Sequence, residues 1–381
     1  MKKFSKKTSD ISICILSLLL SFSFFILLVF GRHSDFSERE NRALEKMPKL
    51  KISTLADGSF FSNLSNFSAD QFPFRSFFCS LSSMSELSLL RHECNGIIAA
   101  KDGYLISRHD VNIDVLSSNL DALSAFFERN SSTPSFLLVA PRAIDVKTDK
   151  LPSLFYKDHN KNPYTVLNEN ISSKNLIDPK DELKNISKKG EYVRYATDHH
   201  WTTRGAYEAY LCLCQKLGIS AFSQEYFDIK PITEEFLGTS FSKSGLPEFF
   251  PSIDTIELYR YANDEKISAT SPTEPKSVCG FYDMSALDKK DKYQIFLGGN
   301  TDILQIRDTS KEKPKMLLIK DSFANCLVPF LALHYNIDIV DLRYYRSSLK
   351  KLTESTSFDT ILVVYGIDTL SNEASCSDII K

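Results

Sequence analysis

Four short apolar segments constrain the fold of this chain more than any other feature of its sequence. They are continuous hydrophobic runs rather than alternating patterns, and they cover residues 136–140, 315–320, 337–342 and 359–365. Strands that are buried on both faces have this composition, because helices cover both sides of a parallel sheet. Helical patterns over about 323–335 and 346–354 separate the last three runs. We therefore predict an α/β fold with one mostly parallel sheet and helices on both faces.

The N-terminus carries a membrane signal. Four lysines within the first seven residues precede an uncharged segment from Ile11 to Phe30, and Arg32 follows it. Twenty helical residues at about 1.5 Å each span the roughly 30 Å hydrocarbon core. Since basic residues stay on the cytoplasmic side, we predict cytoplasmic lysines and a single-pass signal anchor over residues 1–31, with the main domain extracytoplasmic. A cleaved signal peptide is the alternative, although residues 28–32 offer no small-x-small cleavage site.

The remaining chain is long enough for one large domain or two ordinary ones. We divide it into a juxtamembrane linker with a helical docking segment over 32–105 and an α/β domain with insertions over 106–381. Phenylalanines crowd residues 60–95, where we predict two helices with an aromatic face. Packing of that face into a core is the default interpretation, and a face turned towards membrane or carbohydrate is the alternative.

Composition narrows the function classes. The formal net charge is −2 and 25% of the residues are charged, so the strong positive field of a nucleic-acid-binding protein is not expected. Eight cysteines in a chain predicted to lie outside the cytoplasm leave disulfides and free thiols both open. Cys212 and Cys214 point to different faces of a predicted helix, and no second Cys/His pair follows at zinc spacing. No metal or cofactor is predicted.

Local signals define further elements. Residues 205–217 have the pattern of an amphipathic helix, with Thr202 or Thr203 as its N-cap and Gly218 as its stop. Residues 111–129 also show helical spacing of apolar side chains.

Two regions are less regular. Residues 157–191 are rich in Asn, Lys and Ser, which favours a surface insertion. Short aromatic and β-branched pieces at 255–261 and 292–297 indicate strands.

Candidate chemistry is concentrated between Asp198 and Tyr207, where two of the seven histidines and the single tryptophan fall within four positions. Far downstream, Ser322 follows a predicted strand and precedes an apolar helical pattern. A serine hydroxyl becomes a nucleophile when a base takes its proton and an acid orients that base. Asp198 and His200 supply both roles from one short turn, and His199 competes as the base.

Other interpretations of these residues remain open from the sequence. Asp198 is also suited to cap a helix, with both histidines as ordinary polar groups, and Asp198, His199 and His200 together are a weaker candidate for metal ligation. Ser322 is likewise a good helix N-cap, and the amides of the helix that starts there are candidates to stabilise an oxyanion.

The ten residues from Asp198 to Tyr207 resemble the signature of the bacterial DHHW protein family. The likeness covers most of residues 38–366 and extends to the segments Glu40-Asn41-Arg42, Asp70-Gln71-Phe72-Pro73-Phe74-Arg75, Gly298-Gly299-Asn300, Lys320-Asp321-Ser322 and residues 340–345. That family is similar to the SGNH-hydrolase-like domains of the alginate O-acetylation proteins, whose Asp-x-His-Trp and Asp-Ser motifs carry a Ser-His-Asp triad.

Asp198, His200 and Ser322 occupy the matching positions. Lys320 stands where SGNH enzymes have a glycine, and His199 fills the variable position. The resemblance implies an SGNH-like three-layer α/β/α domain in which Ser322 forms an acyl-enzyme, His200 is its base and Asp198 orients His200. Candidates for binding substrate or shaping the oxyanion site are Asn300, Arg343, Arg142, His199 and Trp201.

The implied function is that of a membrane-anchored O-acetyltransferase of the bacterial cell envelope. Its expected partners are a cell-surface polysaccharide, or exopolysaccharide, and a membrane-bound acyltransferase that supplies acetyl groups. A polysaccharide O-acetyl esterase and a non-catalytic glycan-binding or assembly protein of the same fold are the alternatives.

Overall fold

The computed structural model describes residues 6–108, 110–153, 162–273 and 277–373. The chain divides into two compact units. The first comprises Met1–Leu90 with Gly245–Pro247, and the second comprises Arg91–Ser244 with Glu248–Lys381. The assignment of an anchor, a docking segment and an α/β domain to particular ranges stays a prediction.

The first unit is mainly helical. Its elements are α1 (Lys6–Phe30), β1 (Phe36–Ser37), β2 (Arg42–Ala43), α2 (Ile52–Ala56), α3 (Ser59–Asp70) and α4 (Arg75–Ser88). Within α1, Asp10–Phe30 has a mean hydropathy of 2.9 and, among the described residues, is the one helix with the length and composition of a membrane anchor or signal sequence. The two helices predicted within residues 60–95 are confirmed as α3 and α4.

The second unit is built on strands of two small sheets and one large sheet. The strands are β3 (Glu93–Cys94), β4 (Ile97–Ala99), β5 (Leu105–Ser107), β6 (Ser135–Ala140), β7 (Leu176–Ile177), β8 (Asp228–Phe236), β9 (Asp254–Arg260), β10 (Ile267–Thr270), β11 (Ser277–Cys279), β12 (Ile303–Asp308), β13 (Lys315–Lys320), β14 (Asn336–Val340) and β15 (Thr360–Gly366). The large sheet has eight strands in the order β11-β10-β12-β14-β13-β15-β6-β7.

The predicted parallel sheet is confirmed. β14, β13, β15, β6 and β7 pair in parallel, and β12, β10 and β11 extend the sheet through successive antiparallel pairs. In the centre, Leu318 lies opposite Ile339 on one side and Leu362 on the other. The carboxyl ends of the parallel strands therefore meet at one edge, where open α/β sheets place their ligands.

Helices cover both faces of this sheet. They are α5 (Ile113–Arg129), α6 (Ala143–Val146), α7 (Pro163–Asn170), α8 (Lys180–Lys188), α9 (Thr203–Leu217), α10 (Thr239–Ser244), α11 (Val328–Leu331), α12 (Leu349–Ser355) and α13 (Ile367–Asn372). Leu318 packs in one apolar cluster with Tyr210 of α9, and its neighbour Leu317 packs in another with Leu120 of α5. This alternation gives three layers, because successive side chains of a strand point to opposite faces.

α9 begins and ends as its sequence predicts. The Thr202 hydroxyl accepts a hydrogen bond from Gly205 N at 3.2 Å, and Gly218 ends the helix in the left-handed region at φ 67°. The predicted helix over 111–129 is α5.

Three sequence expectations need correction. The helix expected over 323–335 is a short 3₁₀ turn, Ser322–Ala324, followed by α11, since Pro329 lacks the amide hydrogen that would continue a helix through it. The strand expected over 292–297 is a 3₁₀ turn, Lys292–Ile295, and the chain reverses just after it, since Leu297, Gly298 and Gly299 have positive φ.

The surface insertion expected over 157–191 instead contributes α7, α8 and edge strand β7, although residues 157–161 lie outside the described residues. Its asparagines serve as helix signals, since the Asn162 side chain accepts a hydrogen bond from Tyr164 N at the start of α7. Cys14, Cys79, Cys212, Cys214 and Cys326 are free cysteines.

Candidate active site

The site lies just beyond the carboxyl end of β13. Asp321 Oδ1 accepts a hydrogen bond from Phe323 N at 2.9 Å, and Asp321 Oδ2 accepts one from Gly366 N at 2.7 Å. Burial raises the pKa of Asp321. Asp321, and not Ser322, therefore caps the turn that follows β13. The half-buried Ser322 hydroxyl is left for another partner.

That partner is His200. Its Nε2 lies 2.8 Å from Ser322 Oγ, and its Nδ1 lies 2.6 Å from Asp198 Oδ1. Because a carboxylate oxygen can only accept, Nδ1 carries the proton and Nε2 is left as the acceptor for the serine hydroxyl. His200 and Asp198 are buried. The three side chains thus form a directed hydrogen-bond relay between residues 122 positions apart.

The carboxylate of Asp198 is held from its other side as well. Thr239 donates to Asp198 Oδ2 through its backbone N at 2.7 Å and its Oγ1 at 2.9 Å. Burial alone would raise the pKa of Asp198, but the charges of His199 and His200 and these hydrogen bonds outweigh it and hold that pKa well below its usual range. Gly238 allows the approach, since a Cβ there would lie 2.4 Å from Asp198 Cβ and Oδ2.

His199 lies beside the relay rather than in it. Its Nδ1 is 2.6 Å from Thr239 Oγ1, its ring centroid is 3.8 Å from that of His200, and its side chain is 32% exposed. Partial burial and the neighbouring His200 lower the pKa of His199. His200 is thus the histidine in contact with Ser322.

The same turn also has the geometry of a candidate metal site. Asp198, His199 and His200 each offer a ligand atom, and these atoms lie within 4.8 Å of one another. Hydrogen bonds already engage both ring nitrogens of His200 and both oxygens of Asp198. The arrangement present suits proton transfer, and a metal would have to displace it.

Trp201 is completely buried, and its Nε1 donates to Phe323 O at 2.9 Å. Its indole fixes the backbone of the turn that carries Ser322. A role for Trp201 in binding substrate or shaping the oxyanion site stays a prediction.

Two residues that the sequence did not single out support the histidines. Arg194 is buried beneath the turn, donates from Nη2 to His199 O at 2.8 Å, and has a pKa lowered by burial to about 10. Tyr293 stacks on His200 with ring centroids 3.9 Å apart and an angle of 8°, and its hydroxyl donates to Ser322 O at 3.2 Å. Their only sequence signal is proximity to the two motifs, five residues or fewer from Asp198 and Gly298.

Asn300 is oriented by Lys320. The buried Lys320 Nζ donates to Asn300 Oδ1 and to Asn325 Oδ1, both at 2.7 Å, and lies 3.6 Å from Asp341 Oδ2. Asn325 Nδ2 also donates to Asn300 Oδ1 at 3.2 Å. With its oxygen held by two donors, Asn300 leaves its amide NH₂ as the group available to a ligand. Burial lowers the pKa of Lys320 to about 8.

The two arginines proposed from the sequence are engaged in paired hydrogen bonds at the same edge of the sheet. Arg142, two residues beyond β6, contacts Asp145 at 2.7 and 3.2 Å. Arg343, three residues beyond β14, contacts Asp341 at 2.9 and 2.7 Å. Their described contacts hold carboxylates of the fold, so a substrate would have to share or displace them.

A buried carboxylate supports the loop that leads to Asp198. Asp254 accepts hydrogen bonds from Ala196 N at 2.6 Å and Thr197 N at 2.7 Å, and also from the hydroxyls of Thr197 and Tyr192. Burial outweighs these hydrogen bonds and raises the pKa of Asp254 to about 6.

Comparison with known proteins identifies relatives of this architecture. The profile of the family described as DHHW protein matches residues 132–340, which is more than half of the chain. A DHHW family protein from Eubacterium siraeum superposes with a TM-score of 0.63 at 21% identity, covering 75% of this chain and 95% of that chain. No curated protein matches the chain in sequence.

Two other solved proteins are similar. Bacillus cereus PatB1, whose structure is also known with a sulfonyl adduct, superposes with a TM-score of 0.60 at 16% identity and covers 73% of this chain. These alignments include 97% and 98% of the PatB1 chains. The O-acetyltransferase domain of Pseudomonas putida AlgJ aligns with a TM-score of only 0.47 at 14% identity, over 73% of this chain and 93% of that domain. The solved relatives share the three-layer α/β fold, which confirms the predicted fold class.

Proposed function

The chain belongs to the DHHW protein family, and on the basis of the Ser322–His200–Asp198 hydrogen-bond relay we propose that it is an O-acyltransferase of the cell envelope. It transfers an acetyl group to a cell-surface polysaccharide. The relay carries the proposal, because it supplies a half-exposed hydroxyl, a base whose unprotonated nitrogen accepts from that hydroxyl, and an ionised carboxylate that orients the base. The resemblance of the Asp-His-His-Trp and Asp-Ser motifs to alginate O-acetylation proteins supports acetyl as the group.

The reaction has two halves. Ser322 Oγ attacks the carbonyl carbon of the acyl donor while its proton passes to His200 Nε2. The bond to the leaving group then breaks, the leaving group takes that proton, and an ester remains on Ser322. In the second half a sugar hydroxyl attacks this ester and gives its proton to His200. Ser322 leaves as the alcohol by taking that proton, which restores the starting state.

Charge on the carbonyl oxygen needs donors in both halves. The NH₂ group of Asn300 is the proposed side-chain donor, because Lys320 and Asn325 hold its oxygen. The helix start that the sequence suggested for this role is only a three-residue turn. A backbone donor near Ser322 is therefore expected to come from the turn itself rather than from a helix dipole.

The proposed location follows from α1. We infer that α1 is retained as a single-pass anchor, with the N-terminal lysines cytoplasmic and the chain after Arg32 extracytoplasmic. A membrane-bound acyltransferase that delivers acetyl groups across the membrane is the proposed donor partner.

Covalent labelling tests the nucleophile. A sulfonyl fluoride should modify Ser322 in the full-length protein, and peptide mass spectrometry would locate the adduct. Ser322→Ala and His200→Ala should each abolish labelling and lower acyl transfer by roughly 10⁴–10⁶-fold, with unchanged circular dichroism. Ser310→Ala, which removes an exposed hydroxyl outside the site, is the matched control. A protein that resists labelling at Ser322 would be a non-catalytic binding or assembly protein.

The products distinguish transferase from esterase. An activated acetyl ester is supplied with and without an oligosaccharide acceptor. We expect acetylated sugar in the first case and only slow acetate release in the second. Rapid acetate release that an acceptor does not divert would identify an esterase.

A further inference from the structure

Two of the family-like motifs, Glu40-Asn41-Arg42 and Asp70 to Arg75, lie in the first compact unit and have no place in the proposed reaction. They join in one ion-pair network. Arg42 contacts Asp70 through two nitrogens at 2.6 and 2.9 Å and Glu40 at 2.8 Å, and Arg75 pairs with Glu40. Two arginines and two carboxylates neutralise one another, so the network fixes the turn between α3 and α4 without adding net charge.

The same turn is attached to the segment that leaves α1. The Gln71 side chain donates to Ser34 O at 2.9 Å and accepts from Ser34 N at 3.2 Å. One turn earlier on α3, the Phe67 ring packs edge-on against His33, with centroids 5.0 Å apart. These contacts set the position of the turn relative to α1.

The aromatic side chains of this turn and of α4 pack along α1. Phe72 stacks on Phe24 with ring centroids 5.3 Å apart, and Phe78 packs edge-on against the same ring at 6.1 Å. Phe24 lies six residues before the end of the apolar span at Phe30, which is about 9 Å along the helix axis. Rings that contact Phe24 therefore lie at the level of the apolar span and not beyond its end.

The side chains around this turn are apolar and exposed. Their exposed fractions are 39% for Phe72, 69% for Phe74, 63% for Phe77, 41% for Phe78 and 51% for Leu81. Arg75 is the one charged residue from Phe72 to Leu81, and Glu40 neutralises it. Phe74 also has φ 59°, a strained conformation for a bulky residue, which presents its ring outward instead of burying it.

We propose that Phe72, Phe74, Phe77, Phe78 and Leu81 form a wedge that is embedded in the lipid acyl chains of the extracytoplasmic leaflet. The occupant is lipid because the wedge continues the lipid-facing surface of α1 at the same level. Aromatic rings bury about 150–250 Å² each, so insertion stabilises the wedge by removing large apolar areas from water. The ion-pair network serves to hold the wedge against α1. The proposal rests on α1 being retained as the anchor of the proposed function.

Tryptophan fluorescence in the full-length protein tests the wedge. The chain has one tryptophan, the buried Trp201, so wild type gives the baseline. The variant Phe74→Trp is placed in phosphatidylcholine vesicles with brominated acyl chains. The bromine should quench most of the emission that Phe74→Trp adds to that of Trp201, while aqueous iodide should quench little of it. Phe77→Trp is the second probe in case Phe74→Trp folds poorly. Tyr226→Trp, at a 46% exposed position of the second unit, is the matched control and should show the reverse pattern.

Three outcomes would overturn the wedge. The first is a probe at position 74 or 77 that iodide quenches and bromine does not. The second is a probe that is exposed in pure lipid but protected in native membranes, which would identify a protein partner. The third is a mature protein whose mass shows loss of α1, and this result would also contradict the proposed anchor. Failure of acyl transfer with both probes quenched by bromine would count against the proposed reaction alone.

Discussion

Lys320 contacts the site indirectly, through Asn300. Its ammonium contacts Asn300, Asn325 and Asp341 and does not contact Ser322, so it orients the amide of Asn300. A buried lysine is costly unless its donors are satisfied. Here three oxygen atoms surround the ammonium, and its burial lowers the pKa of Lys320.

We predict that Lys320→Met lowers kcat more than it changes KM, because Asn300 would lose the shorter of the two hydrogen bonds that orient its oxygen. The pH profile gives the specific signature. The pKa of Lys320 is lowered to about 8 from 10.5, so its charge is lost above about pH 8 in the folded protein. Wild-type activity should decline above that pH, and the variant should lack this alkaline limb.

Lys315→Met, at the opposite end of the same strand, is the matched control for Lys320→Met and should keep the limb. An unchanged alkaline profile in Lys320→Met would contradict the positioning role. The same pKa affects stability, since the unfolded chain binds more protons between about pH 8 and 10.5. The contribution of Lys320 to stability should therefore increase as pH rises through that window.

Gly238 tests how tightly Asp198 must be held. A Cβ at this position meets Asp198 Cβ and Oδ2 at 2.4 Å, and its φ is not in the left-handed region, so Gly238→Ala changes contact rather than backbone strain. We expect a destabilisation of about 1–3 kcal/mol and a fall in kcat of about 10²-fold as the carboxylate moves. Urea unfolding and steady-state kinetics measure both. Gly190→Ala, where a Cβ meets nothing within 4 Å but φ is 96°, is the control for a purely conformational effect.

The loop between α8 and α9 is the element on which the relay depends. It has almost no regular structure, and Asp254 of β9 replaces a strand partner by accepting hydrogen bonds from two of its backbone amides. Arg194 and Trp201 form an isolated bridge that closes the loop. Hydrogen bonds to its polar backbone groups can hold an irregular segment in one conformation.

We predict that Asp254→Asn destabilises the protein by about 1–3 kcal/mol for each donor left unpaired. The difference from wild type should depend on pH. The pKa of Asp254 is raised from 3.8 to about 6, so the folded state binds the proton more tightly. Its stabilising contribution is fully present below about pH 3.8 and is lost as pH rises through about 6. Urea unfolding of both proteins at pH 4.5 and pH 7 measures it. A difference that is equal at both pH values would contradict the assignment.

At the scale of the whole molecule, orientation across the membrane decides which substrates the site can meet. We predict that protease added to intact protoplasts removes the chain after Arg32, because basic residues such as the N-terminal lysines favour the cytoplasmic side. Immunoblotting of an N-terminal tag would show the remaining fragment, and a cytoplasmic protein would serve as the control for intact cells. A protected second unit would contradict the extracytoplasmic assignment and the polysaccharide acceptor with it.

The sequence alone predicted the central sheet and the ends of α9 correctly, since those depend on local periodicity and on caps within four residues. The family resemblance also named Asp198, His200 and Ser322, and the structure brings these side chains into one relay. The sequence could not predict that Asp321 takes the capping role, because Asp321 and Ser322 are both good caps. Only the hydrogen bonds that Asp321 accepts from Phe323 N and Gly366 N distinguish the two residues.

Tertiary structure decided which other residues support the site. Tyr293, Arg194, Thr239 and Gly238 carry no motif, and each matters through a partner that lies elsewhere in the chain. Trp201 sits inside the signature, and its side chain is completely buried. Periodicity and capping depend on a few neighbouring residues, so they can be predicted directly from the sequence. Ring stacking, backbone support and close approach arise only after distant segments pack, which is why the structure was needed to find them.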